Sequence, residues 1–202
     1  MEKALLQFNE NLKKVCDLGG IANAVGILTH GSLDLSDLLR AQVVFTVSAL
    51  DQVVHEFIRV GIIESFSGIR VKCDLLNRRF SEFQVIDTQT EIGISELNQL
   101  DARIRELHSY KTFQRPKKIA EGFSLISKGD IWEKVAKELN FPEVDIVKRL
   151  ELIVDRRNKI AHEADLDPVN PGFRWPIDSG QIDETVAFID SVAKAMYNAL
   201  KT

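Results

Sequence analysis

The chain has 202 residues with a formal net charge of −4, and 45% of its residues are hydrophobic. This length suits one domain with a real core, and the negative charge excludes binding to polyanions through bulk charge, so any nucleic-acid contact must use a local basic patch. The most apolar run, residues 41–50, is too short to cross a bilayer, which predicts a soluble cytoplasmic protein without membrane contact.

Apolar spacing predicts helices almost throughout, with little strand alternation. The first helix is predicted over 2–18 and ends at the Gly19-Gly20 pair. The second is predicted over 37–60, with Ser36 as its N-cap and Gly61 at its C-terminus. Its apolar face consists of Val43, Val47, Leu50, Val54 and Phe57.

Residues 62–90 are the least regular part, with short helical turns and an exposed Arg78-Arg79 pair. Proline begins two later helices, Asp130 caps another, and three prolines predict a loop over 163–180. The later helices are predicted over 95–110, 116–127, 131–140, 142–161 and 182–200. We expect the helix that ends at 161 to pack on the second helix, because these two carry the strongest apolar faces.

Two cysteines, Cys16 and Cys73, match no metal-binding spacing and no redox pair. We therefore expect both to be buried free thiols. The chain also lacks a Gly-rich phosphate loop, an HExxH motif and a Cys/His cluster with ligand spacing. We accordingly expect no metal and no other cofactor.

The stretch Arg-Asn-Lys-Ile-Ala-His contains Arg157, a polar residue directly after it, Asn158, and His162 five positions after the arginine. The bare spacing is weakly specific, because about one such match is expected by chance in a chain of this composition. Arg103 and His108 have the same spacing but lack the polar follower. We interpret that second pair as a chance match on a solvated helix face.

Arg157 falls on a predicted core-facing stripe, where a guanidinium is costly unless it is paired or meets a ligand. Either it pairs with an acid such as Asp51, or it serves a functional site. On an ideal helix Arg157 and His162 point about 140° apart. A shared site needs the helix to end or bend near Ala161, or an interface to which both edges contribute. The stripe comprises Ile146, Leu150, Ile153, Arg157 and Ile160.

These features resemble HEPN domains, whose signature is an arginine, a polar residue and a histidine four to six positions further on. Residues 48–55, Ser-Ala-Leu-Asp-Gln-Val-Val-His, are similar to the first core helix of the group called RiboL-PSP-HEPN, and 113–116, Phe-Gln-Arg-Pro, are also similar to that group. The resemblance implies an all-α, HEPN-like helical bundle with a helical insertion between the core helices. It implies one domain over 1–202, with its core at about 37–60 and 95–200.

The resemblance implies RNA cleavage without a metal, with the ribose 2'-hydroxyl as the nucleophile. His162 would act as base or acid. Arg157 would stabilise charge on the phosphate, and Asn158 would orient the phosphate or the imidazole. Because the reaction needs a base and an acid and each chain supplies one motif histidine, the resemblance also implies a homodimer that joins two motifs in one cleft.

Ser48, Asp51 and His55 form a polar strip on one face of the second helix. This strip either lines the cleft and holds Arg157 or is a buried hydrogen-bonded group without a catalytic part. RNA-backbone contacts are predicted for Arg115, Lys117, Lys118, Arg156 and Lys159.

The leading hypothesis is a homodimeric endoribonuclease in bacterial defence or in a toxin role. Its partners would be RNA and, as a further candidate, an antitoxin or defence-system protein. HEPN toxins that are paired with nucleotidyltransferases carry a tyrosine two residues after the histidine, but Ala164 stands here, which argues against that regulation. Two alternatives are a non-catalytic module that binds RNA or a nucleotide for a partner protein, and a helical interaction domain whose motif is a structural ion pair.

Overall fold

The computed structural model describes residues 1–79, Phe83 and 94–201, and this part of the chain is all-α, as predicted. Its one β pairing is an isolated bridge between Leu166 and Arg174. The described helices are α1 (Glu2–Leu28), α2 (Ser36–Phe66), α3 (Asp74–Arg78), α4 (Ile94–His108), α5 (Pro116–Phe123), α6 (Ile131–Leu139), α7 (Glu143–His162) and α8 (Ser179–Lys201).

Helix α2 is the centre of the bundle. Helices α1, α7 and α8 pack along it, α4 and α5 also contact it, and α6 lies against α7 and α8. The packing of α7 on α2 confirms the predicted pairing of these two helices. Apolar side chains from all of the described helices form one buried cluster. The predicted apolar face of α2 is buried throughout, at Val43, Val47, Leu50, Val54 and Phe57.

Two glycine positions that were predicted to end helices lie inside them. Helix α1 continues through Gly19, where a Cβ would lie 2.7 Å from the side-chain oxygen of Gln42 on α2. Helix α2 continues through Gly61, where a Cβ would lie 2.7 Å from the side chain of Ile126. Both glycines therefore allow a close approach between neighbouring segments, and the prediction that they terminate helices was wrong.

Several local predictions have different outcomes. Asp130 caps α6, since its side chain accepts a hydrogen bond from the backbone N–H two residues further on, at 2.7 Å. Ser36 is not a cap but the first residue of α2, and its N–H donates to Asp34 at 2.9 Å. Cys73 is a buried free thiol as expected, whereas Cys16 is exposed.

The segment 62–90, predicted to be the least regular part of the chain, is helical over part of its length. It contains the end of α2 and the short helix α3, and Arg78 and Arg79 are exposed as predicted. The remainder of that prediction falls on 80–82 and 84–90, which lie outside the described residues. In the described part of the chain, no helix combines the length and the apolar character that a membrane span requires.

Candidate functional site

Helix α7 places Arg157 at the edge of the core. Its buried line runs through Ile146, Leu150 and Val154 rather than through Ile153, so Arg157 is half-buried. The guanidinium donates from Nη1 to Asn158 Oδ1 at 2.9 Å, and its buried Nε has no hydrogen-bond partner among the described residues. An unpartnered buried N–H is costly, so this donor calls for an explanation beyond the packing of α7.

A cavity of about 600 Å³ opens beside Arg157, between α2, α4, α7 and the segment that follows α4. Ser48, Asp51 and His55 line it together with Arg157. Their spacing of three and four residues places them on one face of α2. The structure thus brings the predicted polar strip and the motif arginine to one cavity, although the two lie about a hundred residues apart in the sequence.

Asp51 makes no ion pair with Arg157, which excludes the alternative in which this acid holds the guanidinium. Its carboxylate accepts hydrogen bonds from the Phe113 N–H at 2.5 Å and from Gln114 Nε2 at 3.0 Å. The Asp51 carboxylate is therefore bonded to the Phe113 N–H and the Gln114 amide, and it does not pair with the Arg157 guanidinium. These bonds fasten the Phe-Gln-Arg-Pro run to α2.

His108 was missed as a candidate site residue. Predicted to lie on a solvated helix face, it is only 5% exposed and lines the cavity. It lies four residues after the buried Ile104, so the two share one face of α4, and this spacing could have revealed its burial. Its ring centroid is 6.0 Å from that of His55. Burial lowers the pKa of His108 to about 4, with smaller contributions from Lys111 and His55. The ring is therefore neutral at physiological pH.

His162 lies outside the cavity. Helix α7 ends only at His162, which is too late to turn this side chain towards Arg157, and His162 is exposed. Helix α7 continues through Ala161 to His162, so it does not end before the histidine. A site that includes both Arg157 and His162 therefore needs an interface between chains, to which each residue contributes from its own face of α7.

The predicted RNA-contacting residues do not form a free basic patch. Arg115 donates to Glu151 at 2.5 Å and to Asp155 at 2.7 Å, and so ties the start of α5 to α7. Of the others, Lys118 pairs with Glu121 at 2.8 Å, Arg156 pairs with Asp165 at 2.9 Å, Lys159 lies 5.3 Å from the centre of the Trp175 ring, and Lys117 is exposed.

A buried carboxylate that sequence reasoning missed anchors the loop after the motif. Asp165 is fully buried and accepts from Arg40 Nε at 2.7 Å and from Arg156 Nη2 at 2.9 Å. Ala164 and Asp165 have φ of +51° and +58°. This left-handed region costs L-residues about 1–2 kcal/mol each. The two ion pairs hold the strained turn against α2 and α7, and thereby the end of α7 that carries His162.

Asp165→Asn is expected to lower the free energy of unfolding by about 3 kcal/mol, because it removes the charge that pairs with the buried Arg40 and the partly buried Arg156. Urea denaturation followed by circular dichroism measures this change. The control is Glu163→Gln, which removes an exposed carboxylate from the same loop and should change stability by less than about 0.5 kcal/mol. Equal effects of the two substitutions would show that Asp165 is not an anchor.

A family model described as RiboL-PSP-HEPN matches residues 7–202 of the chain. The chain belongs to the RiboL-PSP-HEPN family. Neither a curated protein nor a solved structure matches it. HEPN domains include ribonucleases and nucleotide-binding modules. The described residues of this HEPN domain contain no group of three or more His, Cys, Asp and Glu side chains that could hold a metal ion.

Proposed function

We propose that this HEPN domain is a metal-independent endoribonuclease. The observation that carries the proposal is Arg157, which lines a cavity together with His55 and whose buried Nε has no partner among the described residues. A phosphodiester in the cavity would supply the acceptor that this N–H lacks. Gln52 lines the same cavity, and its buried Oε1 also lacks a partner within the described residues, so it could accept from a ribose hydroxyl or a base N–H.

The proposed reaction is transfer of the phosphate to the 2'-oxygen. A base removes the proton of the ribose 2'-hydroxyl, and the oxygen attacks the adjacent phosphorus. The bond from phosphorus to the 5'-oxygen breaks, and an acid protonates that oxygen. Arg157 stabilises the charge on the non-bridging oxygens, and Asn158 orients the guanidinium through Nη1. His162 is one of the two proton-transfer groups.

The functional unit in this proposal is a homodimer. On α7 the side chains of Arg157 and His162 point about 140° apart. We therefore place the exposed His162 of one protomer at the cavity of the other, which gives two identical composite sites under two-fold symmetry. RNA is the substrate. A cytoplasmic role in bacterial defence or as a toxin, with an antitoxin or defence-system partner, rests on the family resemblance alone.

Cleavage is expected to proceed in excess EDTA and to leave 2',3'-cyclic phosphate and 5'-hydroxyl ends. Purified protein is incubated with RNA, and the product ends are identified by mass spectrometry. A matched substrate with 2'-deoxyribose at the scissile position should resist cleavage because it lacks the nucleophile. Products with 5'-phosphate ends, or activity restored only by magnesium or manganese, would point to metal-assisted hydrolysis instead.

A second candidate function is a non-catalytic module that binds RNA or a nucleotide for a partner protein. The observation that favours it is the position of His162 outside the cavity that Arg157 lines. RNA binding without cleavage, under conditions that include the intact dimer, would support this alternative over the ribonuclease.

A further inference from the structure

We propose that His55 is the second proton-transfer group of this site, and that His108 is a positioning residue that holds the His55 imidazole in the cavity beside Arg157. This inference rests on the proposed function and assigns the group that a single motif histidine cannot provide. The site would then combine Arg157 and His55 of one protomer with His162 of the partner protomer.

Three side chains surround the His55 ring. The Phe113 ring meets it edge-on, with centroids 4.6 Å apart, and the His108 ring is tilted against it at 6.0 Å. Asp51 Oδ1 lies 3.6 Å from His55 Nε2. The side chain of His55 is 25% exposed and lines the same cavity as Arg157. His55 is therefore fixed by packing yet open to a ligand, as a proton-transfer group requires.

His108 is suited to support rather than to proton transfer. It is buried and packs on Phe113, with ring centroids 5.6 Å apart. Burial lowers the pKa of His108 to about 4, so it is neutral near neutral pH and adds no positive charge next to His55. An aromatic ring of this size fills the space behind His55 without a charge of its own.

The Asp51 carboxylate beside the ring favours His55 as the base. When its neutral imidazole takes the proton of the 2'-hydroxyl, the Asp51 carboxylate stabilises the resulting imidazolium. His162 of the partner protomer, protonated, gives its proton to the leaving 5'-oxygen, and exchange with water restores both groups. The other charged residues that line the cavity are Glu56 and Arg59 on α2, Arg105 on α4, Lys111 after α4 and Arg157 on α7.

One test follows the histidine ring resonances of the intact protein by NMR. The chain has 4 histidines, and exposed His30 serves as the internal control because it does not line the cavity. We expect His108 to keep its neutral chemical shift from pH 8 down to about pH 5, because burial lowers its pKa to about 4. The uncleavable dinucleotide d(ApA) should then shift the His55 resonance and leave His30 unchanged. The proposal would be overturned if the His108 resonance titrated between pH 5 and 8, or if d(ApA) did not shift the His55 resonance.

A second test measures RNA cleavage by variants. His55→Gln should lower the rate about 100- to 10,000-fold, which is the range that general acid–base groups contribute. His108→Ala should lower the rate about tenfold through loss of ring positioning, and His108→Phe should restore most of it. His30→Ala should leave the rate unchanged, and thermal unfolding verifies that each variant is folded.

The outcomes separate the two proposals. Wild-type protein that binds RNA without cutting it would contradict the proposed ribonuclease function, and the NMR test of His55 and His108 would still stand. Wild-type cleavage together with a fully active His55→Gln variant would contradict only the assignment of His55. Equal loss in His108→Ala and His108→Phe would contradict the positioning role of His108.

Discussion

Arg157→Ala is expected to lower the rate of RNA cleavage about 1000-fold while the protein remains folded. The loss follows from removal of the donors that stabilise charge on the phosphate in the transition state. The fold should tolerate the change, since the one hydrogen bond of Arg157 among the described residues goes to the neighbouring Asn158. Single-turnover cleavage measures the rate, and circular dichroism monitors folding.

Two further variants make this prediction specific. Arg157→Lys should recover less than about a tenth of the lost activity, because lysine lacks the Nε donor and the forked geometry. Arg103→Ala is the matched control. Arg103 precedes His108 at the same spacing as the motif pair, but it bonds to Glu106 at 2.7 Å outside the cavity lining, so its removal should be nearly silent. An inactive Arg103→Ala variant, or a fully active Arg157→Ala variant, would refute the choice of site.

Chains that carry Arg157→Ala and chains that carry His162→Ala are each expected to be inactive, yet their equal mixture should regain cleavage. In the proposed dimer, Arg157 of one protomer works with His162 of the other. A mixed dimer therefore keeps one composite site in which both residues are intact. About a quarter of the wild-type activity should return, since half of the randomly exchanged dimers are mixed and each has one working site of two.

Native mass spectrometry must show that mixed dimers form, because chains that do not exchange cannot complement each other. Mixed dimers without activity would mean that Arg157 and His162 act within one chain, against the unbroken geometry of α7. A wild-type protein that cleaves RNA as a monomer at micromolar concentration would contradict the composite site altogether.

Features that depend on local periodicity could be predicted from the sequence. The apolar face of α2 and the polar strip of Ser48, Asp51 and His55 follow from the rise and twist of a single helix, so both were predictable before any packing was known. The cap at Asp130 and the helix start at Pro116 were predictable for the same reason. Each depends on bonds within a few residues of chain.

Features that depend on distant partners could not be predicted in this way. In the sequence, the glycine pair at the end of the predicted first helix indicates a helix end. Gly19 nevertheless lies inside α1, where the absence of a Cβ leaves room for Gln42 of α2. The unusual turn at Asp165 is held by Arg40, which lies 125 residues away in the chain. No local pattern reports such a pair, since its stability arises from burial of opposite charges that only the folded chain brings together.

The sequence by itself determined the all-α class, the central helix and the family, because helical periodicity and the Arg-Asn-x-Ile-Ala-His segment are local properties of the chain. Only the tertiary structure decided that Arg157 meets His55 and His108 at one cavity and that His162 lies outside it. The physical reason is the packing of α4 and α7 on α2. This packing determines which face of each helix is buried. The apolar periodicity of one helix does not show whether a residue at the edge of that face is buried or exposed.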